Sequence, residues 1–316
     1  MDLGMTILMW LAGAVATAAL GLSFRWVDRL VTARVQWRVG PPWYQPGADI
    51  LKLMGKETLM PSTARGTGFL LAPLVAVAAS TVTAAILWRA LLRPESTFLG
   101  DLVVVLYLLT IPAIMTIAGA AASGSPHASL GAAREIKLLL SYELPMVIAM
   151  MTAVAHTGWS LRLGGILQAQ ANSPVILSIS GGLAMVVAVL CMQAKLGLVP
   201  FDMAEAECEI MSGVYVEYSG PLLAMFMISN AMMLALMPLL LIIVFWGGLN
   251  TGAWWGWLTL AGKYVLLVAL ATLIRNTNPR LRIDQAMRFF WFYLTPLAIA
   301  AAVLAIVGAS RAISWL

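Results

Sequence analysis

Apolar residues run along this chain in long blocks separated by short charged stretches. Eight blocks, residues 3–24, 67–91, 98–122, 140–157, 174–195, 221–246, 254–274 and 289–309, carry few charges and follow no alternating pattern. Crossing ~30 Å of hydrocarbon takes ~20 helical residues, whereas a barrel strand is about half that length and alternates strictly. The pattern therefore predicts an all-α, polytopic membrane protein of about eight transmembrane helices. Polar residues gather in the connections 25–66, 123–139, 196–220 and 275–288, with no internal repeat and no long linker, so a single integral membrane domain over residues 1–316 is expected.

Composition agrees with the pattern. Hydrophobic residues make up 61% of the chain and charged ones 10%, with a mean hydropathy of +0.91. An ordinary soluble domain has about a quarter charged residues, so that class is excluded and no nucleic-acid partner is expected. The first apolar block follows Met1 and Asp2 without a basic leader and ends at Arg25 rather than at a small-residue cleavage site, so it is expected to remain as an anchor.

Charge sets the expected orientation. Fourteen of the 19 Lys and Arg residues fall on one side: Arg25, Arg29, Arg34, Arg38, Lys52, Lys56 and Arg65 in the first connection, then Arg134, Lys137, Lys195, Arg275, Arg280, Arg282 and Arg288. The other side has Arg89, Arg93, Arg162 and Arg311, with Lys263 inside a span. Cytoplasmic connections carry the excess of cations, which puts both termini outside.

Between two of the most apolar spans lies the stretch 200–220. It holds Asp202, Glu205, Glu207, Glu209 and Glu217, five of the chain's 14 carboxylates, and no Lys or Arg. A carboxylate beside hydrocarbon loses hydration, and neighbouring like charges disfavour ionisation further, so a cluster of this kind is suited to taking up and passing protons. On a helix Glu205 and Glu209 would share a face at i, i+4 while Glu207 points away, so countercharges must come from elsewhere. A solvated acidic loop is the plainer alternative. Phe201, Ile210, Met211, Val214 and Val216, interleaved with the acids, favour a buried, shaped segment.

Other positions offer partners for this cluster. The connection 275–288 supplies Arg280, Arg282 and Asp284, and the first connection supplies Arg25, Arg29, Arg34 and Arg38. Within that first connection, Gly40-Pro41-Pro42 forces a turn, and residues 49–56 have the apolar and polar sides of a short interfacial helix. Trp37, Trp43 and Tyr44, set among arginines, suit a protein-docking surface, or equally a basic loop meeting anionic lipid. Glu143 stands two residues before Pro145 at the start of a span, where a helix N-terminus stabilises negative charge. Lys263 either snorkels to the outer surface or lies on an ion path through the membrane. Cys191 and Cys208 lack the spacing and number of an iron–sulfur ligand set, and His127 and His156 fall at opposite membrane faces, so no metal or redox centre is expected on the chain.

The motifs together resemble a known family. Pro200-Phe-Asp-Met-Ala-Glu205-Ala-Glu-Cys-Glu209 with Glu217-Tyr-Ser-Gly, Ser141-Tyr-Glu143, Asn278-Pro-Arg280-Leu-Arg282-Ile-Asp284-Gln and Arg34-Val-Gln-Trp-Arg38-Val-Gly-Pro41 are similar to motifs of the eight-helix heel subunit of respiratory complex I and of its membrane-bound [NiFe]-hydrogenase relatives. The likeness runs in order from about residue 25 to residue 295. It implies an all-helical bundle whose cytoplasmic connections form a platform for a peripheral redox arm. It also implies that Glu143, Glu205, Glu207, Glu209 and Glu217 line the entrance of a proton path, with the arginines against them.

The piece 40–46 is shorter than the corresponding part of complex I members and is closer to hydrogenase-type members. That resemblance implies a non-redox subunit in the cytoplasmic membrane of a prokaryote. It would anchor peripheral [NiFe]-hydrogenase-like large and small subunits and an iron–sulfur subunit, and couple them to proton or Na⁺ movement through antiporter-like membrane subunits. In this reading the partners carry the iron–sulfur clusters and the [NiFe] centre, and this chain carries no cofactor. The alternatives are the quinone-site subunit of an NADH-quinone oxidoreductase, with quinone as substrate, and, from a different class, a free-standing secondary transporter. Paired broken helices around a midplane site would mark the transporter, and the spans lack them.

Overall fold

The computed structural model describes residues 3–98, 100–171, 173–205, 211, 213–249 and 255–311. These form an all-helical structure, with no strand among the described residues. The helices are α1 (Leu3–Val35), α2 (Gln45–Met54), α3 (Gly66–Leu92), α4 (Asp101–Ala122), α5 (Pro126–His156), α6 (Leu163–Ala169), α7 (Ile179–Lys195), α8 (Gly220–Phe245), α9 (Trp255–Thr277), α10 (Ile283–Arg288) and α11 (Thr295–Arg311). A π-helical stretch, Phe289–Leu294, joins α10 to α11. Short 3₁₀ turns lie at Pro94–Ser96, Val175–Leu177 and Gly213–Tyr215.

Among the described residues seven helical segments are long and apolar enough to cross a membrane, and α7, with 17 residues, is a shorter apolar helix in the place of the eighth expected span. Several boundaries differ from those expected. α1 continues through Arg25, Arg29 and Arg34 to Val35, so the first part of the connection 25–66 is helix. Its 33 residues reach about 50 Å at ~1.5 Å per residue, well beyond one hydrocarbon thickness. In the same way α5 starts at Pro126, and most of the connection 123–139 is its first turns. Hydropathy marks where a helix meets lipid, not where it ends. The interfacial helix begins earlier than expected, at Gln45 with proline at its start, and buries Pro46 and Ile50 while Leu51 and Met54 stay exposed.

α8 is the most enclosed of these spans, and apolar residues cover it on every side, as a core helix requires. It packs on α1 and α3, while α7 packs between α5 and α11. At Gly21 a Cβ would overlap the Ala231 carbonyl of α8, so this crossing needs glycine. Ser229 of α8 and Ser80 of α3 meet at 2.9 Å, a buried hydroxyl pair that fixes the register between the two helices. The main core cluster is built on Leu87, Tyr142, Met146, Leu236, Phe245 and Phe290. Ser178 caps α7 by accepting from Gly181 N–H at 3.0 Å.

Candidate functional site

The polar connections meet at one end of the bundle. Arg65 N–H donates to the Ala122 carbonyl, Leu281 N–H to the Pro200 carbonyl at 3.1 Å, and Trp26 Nε1 to the Pro41 carbonyl at 3.0 Å. The segment 196–205 is held from below by Gln193, whose Nε2 donates to the Val199 carbonyl at 2.8 Å and to the Ala271 carbonyl at 3.2 Å. These bonds place the residues after α7 over the ends of α5 and α9 and beside α10.

Asp202 is the junction of this region. Its Oδ2 accepts from Arg280 Nη2 at 2.9 Å. Three polar cavities share it as a lining residue. One, of about 240 Å³, is walled by Arg134, Arg280, Arg282 and Asp284. The second, of about 230 Å³, is walled by Arg25, Asp28, Arg29, Glu205, Asn230 and Arg275. The third is smaller, about 60 Å³, and reaches inward past Glu135, Lys195, Glu205 and Tyr215. Carboxylates, guanidiniums and an ammonium thus line three cavities that share Asp202.

Around these cavities the charges are arranged in pairs. Arg275 Nη1 contacts Asp28 Oδ2, joining α9 to α1. Arg29 Nη1 lies 3.0 Å from Asp49 Oδ2, which ties α1 to α2 rather than to the acidic stretch. Lys195 Nζ lies 3.3 Å from Glu143 Oε2, with the lysine side chain 1% exposed and the glutamate 27%. The same ammonium sits 5.6 Å from the centre of the Tyr142 ring. Arg134 Nη1 donates to the Met203 carbonyl at 3.4 Å. Glu135 is within electrostatic reach of Glu205 and Asp202. Asn230 Nδ2 donates to Tyr215 Oη at 3.0 Å, and burial together with the Glu205 charge pushes the Tyr215 phenol well above its usual range, so it stays a neutral hydrogen-bonding group.

The expected site residues are distributed as follows. Asp202, Glu205, Asp284, Arg25, Arg29, Arg280 and Arg282 all border these cavities, and Glu143 adjoins them through Lys195. Arg34 and Arg38, expected as countercharges, are exposed and meet no carboxylate among the described residues. Arg34 is in the last turn of α1 and Arg38 follows it, and neither lines any of the three cavities. Glu217 is half-buried after the Gly213–Tyr215 turn and borders none of the three cavities. Glu207 and Glu209 lie outside the described residues, as does Cys208. Lys263 is at the opposite end, where its Nζ donates to the Trp246 carbonyl at 2.7 Å and to the Gly248 carbonyl at 3.4 Å, capping the C-terminus of α8.

Sequence reasoning passed over Glu135, Lys195, Asp28, Tyr215 and Asn230 as site residues. Asp28 follows Arg25 at i, i+3, which puts a carboxylate and a cation on one helix face, and that was a usable signal. Among the described residues no group of three His, Cys, Asp or Glu side chains is placed to hold a metal ion.

Fold and site together define a multi-pass helical membrane protein whose charged connections gather into a cavity-lined cluster at one end. The family model described as NADH dehydrogenase matches residues 6–306, and the chain belongs to that family. It is 34% identical to an NADH-quinone oxidoreductase subunit of Geobacillus thermodenitrificans, covering 96% of this chain and 92% of that one. The corresponding protein of Thermomicrobium roseum is 33% identical, with 95% of each chain covered. Among solved structures, a chain of the membrane-bound sulfane sulfur reductase, an archaeal respiratory membrane complex, superposes with a TM-score of 0.85 at 31% identity, covering 95% of this chain and 99% of that one.

Proposed function

We propose that this chain is the membrane subunit of a complex I-like oxidoreductase, seating a peripheral redox arm on its charged end and linking that arm to proton or Na⁺ movement. The observation that carries the reading is the convergence of three polar cavities on Asp202, whose carboxylate is paired with Arg280. A free-standing transporter would place its charge near the membrane midplane, between paired broken helices. Here the cluster lies at one end, and the exposed Trp37, Val39 and Trp43 beside it form an apolar rim for a protein partner.

Relatives named as NADH-quinone oxidoreductase subunits favour a quinone-reducing assembly over a hydrogenase-type one. In that reading a quinone is substrate, and this chain contributes part of its surroundings with no cofactor of its own. The short turn at residues 40–46 favours the second reading, an arm that does not use quinone, with [NiFe]-hydrogenase-like subunits as one form of it. The similarity to a chain of a sulfane sulfur reductase complex is in keeping with a family platform that serves more than one arm. The location is the cytoplasmic membrane, with both termini outside and the connections 25–66, 123–139, 196–220 and 275–288 on the cytoplasmic face.

Purification from native membranes in mild detergent tests both readings. Co-purified iron–sulfur subunits with inhibitor-sensitive quinone reduction support the first, and H₂ turnover indifferent to quinone-site inhibitors supports the second. A stable chain recovered alone, with transport activity, overturns the proposal.

A further inference from the structure

At the end opposite the charged cluster, α1 and α3 leave a crevice of about 310 Å³ between them. Its floor is built from small residues, Ala12, Gly13 and Ala16 on α1 and Ala85 on α3. Trp88 of α3 forms one wall and is held in place, because its Nε1 donates to Thr17 Oγ1 at 2.8 Å. A Cβ on Gly13 would already stand 3.5 Å from that ring, so the two helices touch there and open beside it.

The mouth of the crevice has the opposite character. Arg89 and Arg93 stand one turn apart at the end of α3, both exposed, with Ser96 beside them. Arg89 Nε donates to Ser96 Oγ at 3.1 Å, and the rest of its guanidinium fork carries further donors. The nearby Asp101 does not neutralise this mouth by a direct bond: it is buried, and its carboxylate accepts from Phe98 N–H at 3.0 and 3.2 Å. Asp101 lies within electrostatic reach of Arg162 as well as Arg89, so among the described residues three arginines (Arg89, Arg93 and Arg162) stand against two carboxylates (Glu95 and Asp101) and leave this end positive. Trp10, 47% exposed, borders it from α1 in the manner of an interfacial tryptophan.

From Ala16 to Trp10 the crevice runs about 9 Å along the helix axis, so an occupant must be apolar over that depth and anionic at its end. We propose that it binds a phospholipid with an anionic headgroup, an acyl chain lying along Ala12–Ala16 and the phosphate held by Arg89 and Arg93. The site owes nothing to the charged end of the bundle and stands apart from the proposed function.

The test uses the purified assembly, stripped of lipid in detergent, supplied with equal phosphatidylglycerol and phosphatidylcholine, and weighed intact by native mass spectrometry. The wild type should retain one phosphatidylglycerol in preference to phosphatidylcholine. Arg89→Gln and Arg93→Gln should each lower that preference about fivefold, the worth of one cation near an anionic headgroup. Both side chains are exposed, so assembly should be unaffected. Ala16→Leu, which fills the floor, should lower retention of both lipids. A photo-crosslinking residue in place of Trp10 should give a lipid adduct. Equal retention of the two lipids by the wild type, an unchanged preference in the double glutamine variant, or a crosslink from position 10 to a neighbouring subunit would each overturn the proposal.

Discussion

Arg280 Nη2 lies 2.9 Å from Asp202 Oδ2, across 78 residues of sequence, and this pair joins the segment after α7 to the one after α9. Its two members are not equally enclosed: the arginine side chain is 46% exposed and the aspartate 17%. Removing the arginine therefore leaves a carboxylate that water partly reaches. Arg280→Gln should cost about 1 kcal/mol or less in the stability of the purified assembly, as exposed and half-exposed pairs do. Asp202→Asn keeps the shape of the junction but removes its charge from all three cavities. It should melt like the wild type and lose ion movement. Thermal melts beside ion uptake in reconstituted vesicles distinguish the two effects, and a large loss of stability in Arg280→Gln would contradict the assignment.

The Lys195–Glu143 pair should behave differently because the lysine is sealed in. With its side chain 1% exposed, the ammonium depends on Glu143 for compensation. Glu143→Ala should cost about 3–5 kcal/mol by leaving that charge unpaired, whereas Lys195→Met with Glu143→Gln should recover most of the loss. A double-mutant cycle on unfolding measures the coupling. Additive effects would show that the two groups do not act as a pair.

How far the sequence carried this reading depended on the range over which each feature is written. The apolar blocks are local, and they placed the spans to within a few residues for α3 and α8. The ends of α1 and α5 were not legible, because charged turns that leave the membrane read as loop although the helix continues. Charge pairs were legible only as groups. That the connection 275–288 would supply a cation to Asp202 followed from like charge lacking local partners, but Arg275 meeting Asp28 across 247 residues follows only from how α1 and α9 pack. Lys195 looked like one more interfacial cation, and nothing before folding marks it as buried.

The two tyrosines near the acidic stretch give a pH prediction. Burial raises the phenols of Tyr215 and Tyr218 above the usual value of about 10, and Tyr218 Oη donates to the Phe69 carbonyl at 3.1 Å. Below pH ~10 folded and unfolded chains hold the same phenolic protons, so these groups add no pH dependence. Above it the unfolded chain releases protons that the folded chain keeps, and stability falls by up to about 1.4 kcal/mol per pH unit for each phenol. Melts between pH 9 and pH 11.5, a range set around that ~10 midpoint, should show a steeper fall in the wild type than in Tyr218→Phe. Equal slopes would show that the Tyr218 phenol titrates freely.

A comparison of two buried phenols separates a bonded group from an unbonded one. Tyr142 Oη is buried without a hydrogen-bond partner among the described residues, whereas Tyr215 Oη accepts from Asn230. Tyr142→Phe should change stability little, because it removes an unsatisfied polar atom. Tyr215→Phe should cost about 1–3 kcal/mol, because it strands the Asn230 amide. The reverse order would place an unseen partner on Tyr142.

The acidic cluster either couples ion movement to the arm or only supports the arm. Glu205 and Glu135 border the same cavity with Asp202 and Lys195, and they come from elements that otherwise have no reason to bring carboxylates together. Glutamine keeps the size and hydrogen-bonding reach of glutamate and removes its proton uptake. Glu135→Gln and Glu205→Gln should therefore assemble with the peripheral subunits, since relieving like-charge repulsion between them costs no packing. Each should lower ion movement per electron transferred, and the pair together should lower it little further than either alone, because steps in series on one path do not add. The same measurement on Glu207→Gln and Glu209→Gln extends the path into the rest of the stretch. Ion uptake per electron in vesicles that hold each assembled variant is the readout. If Glu135→Gln with Glu205→Gln pumps normally, the cavity is a hydrated support for the arm, and the path must run through other groups.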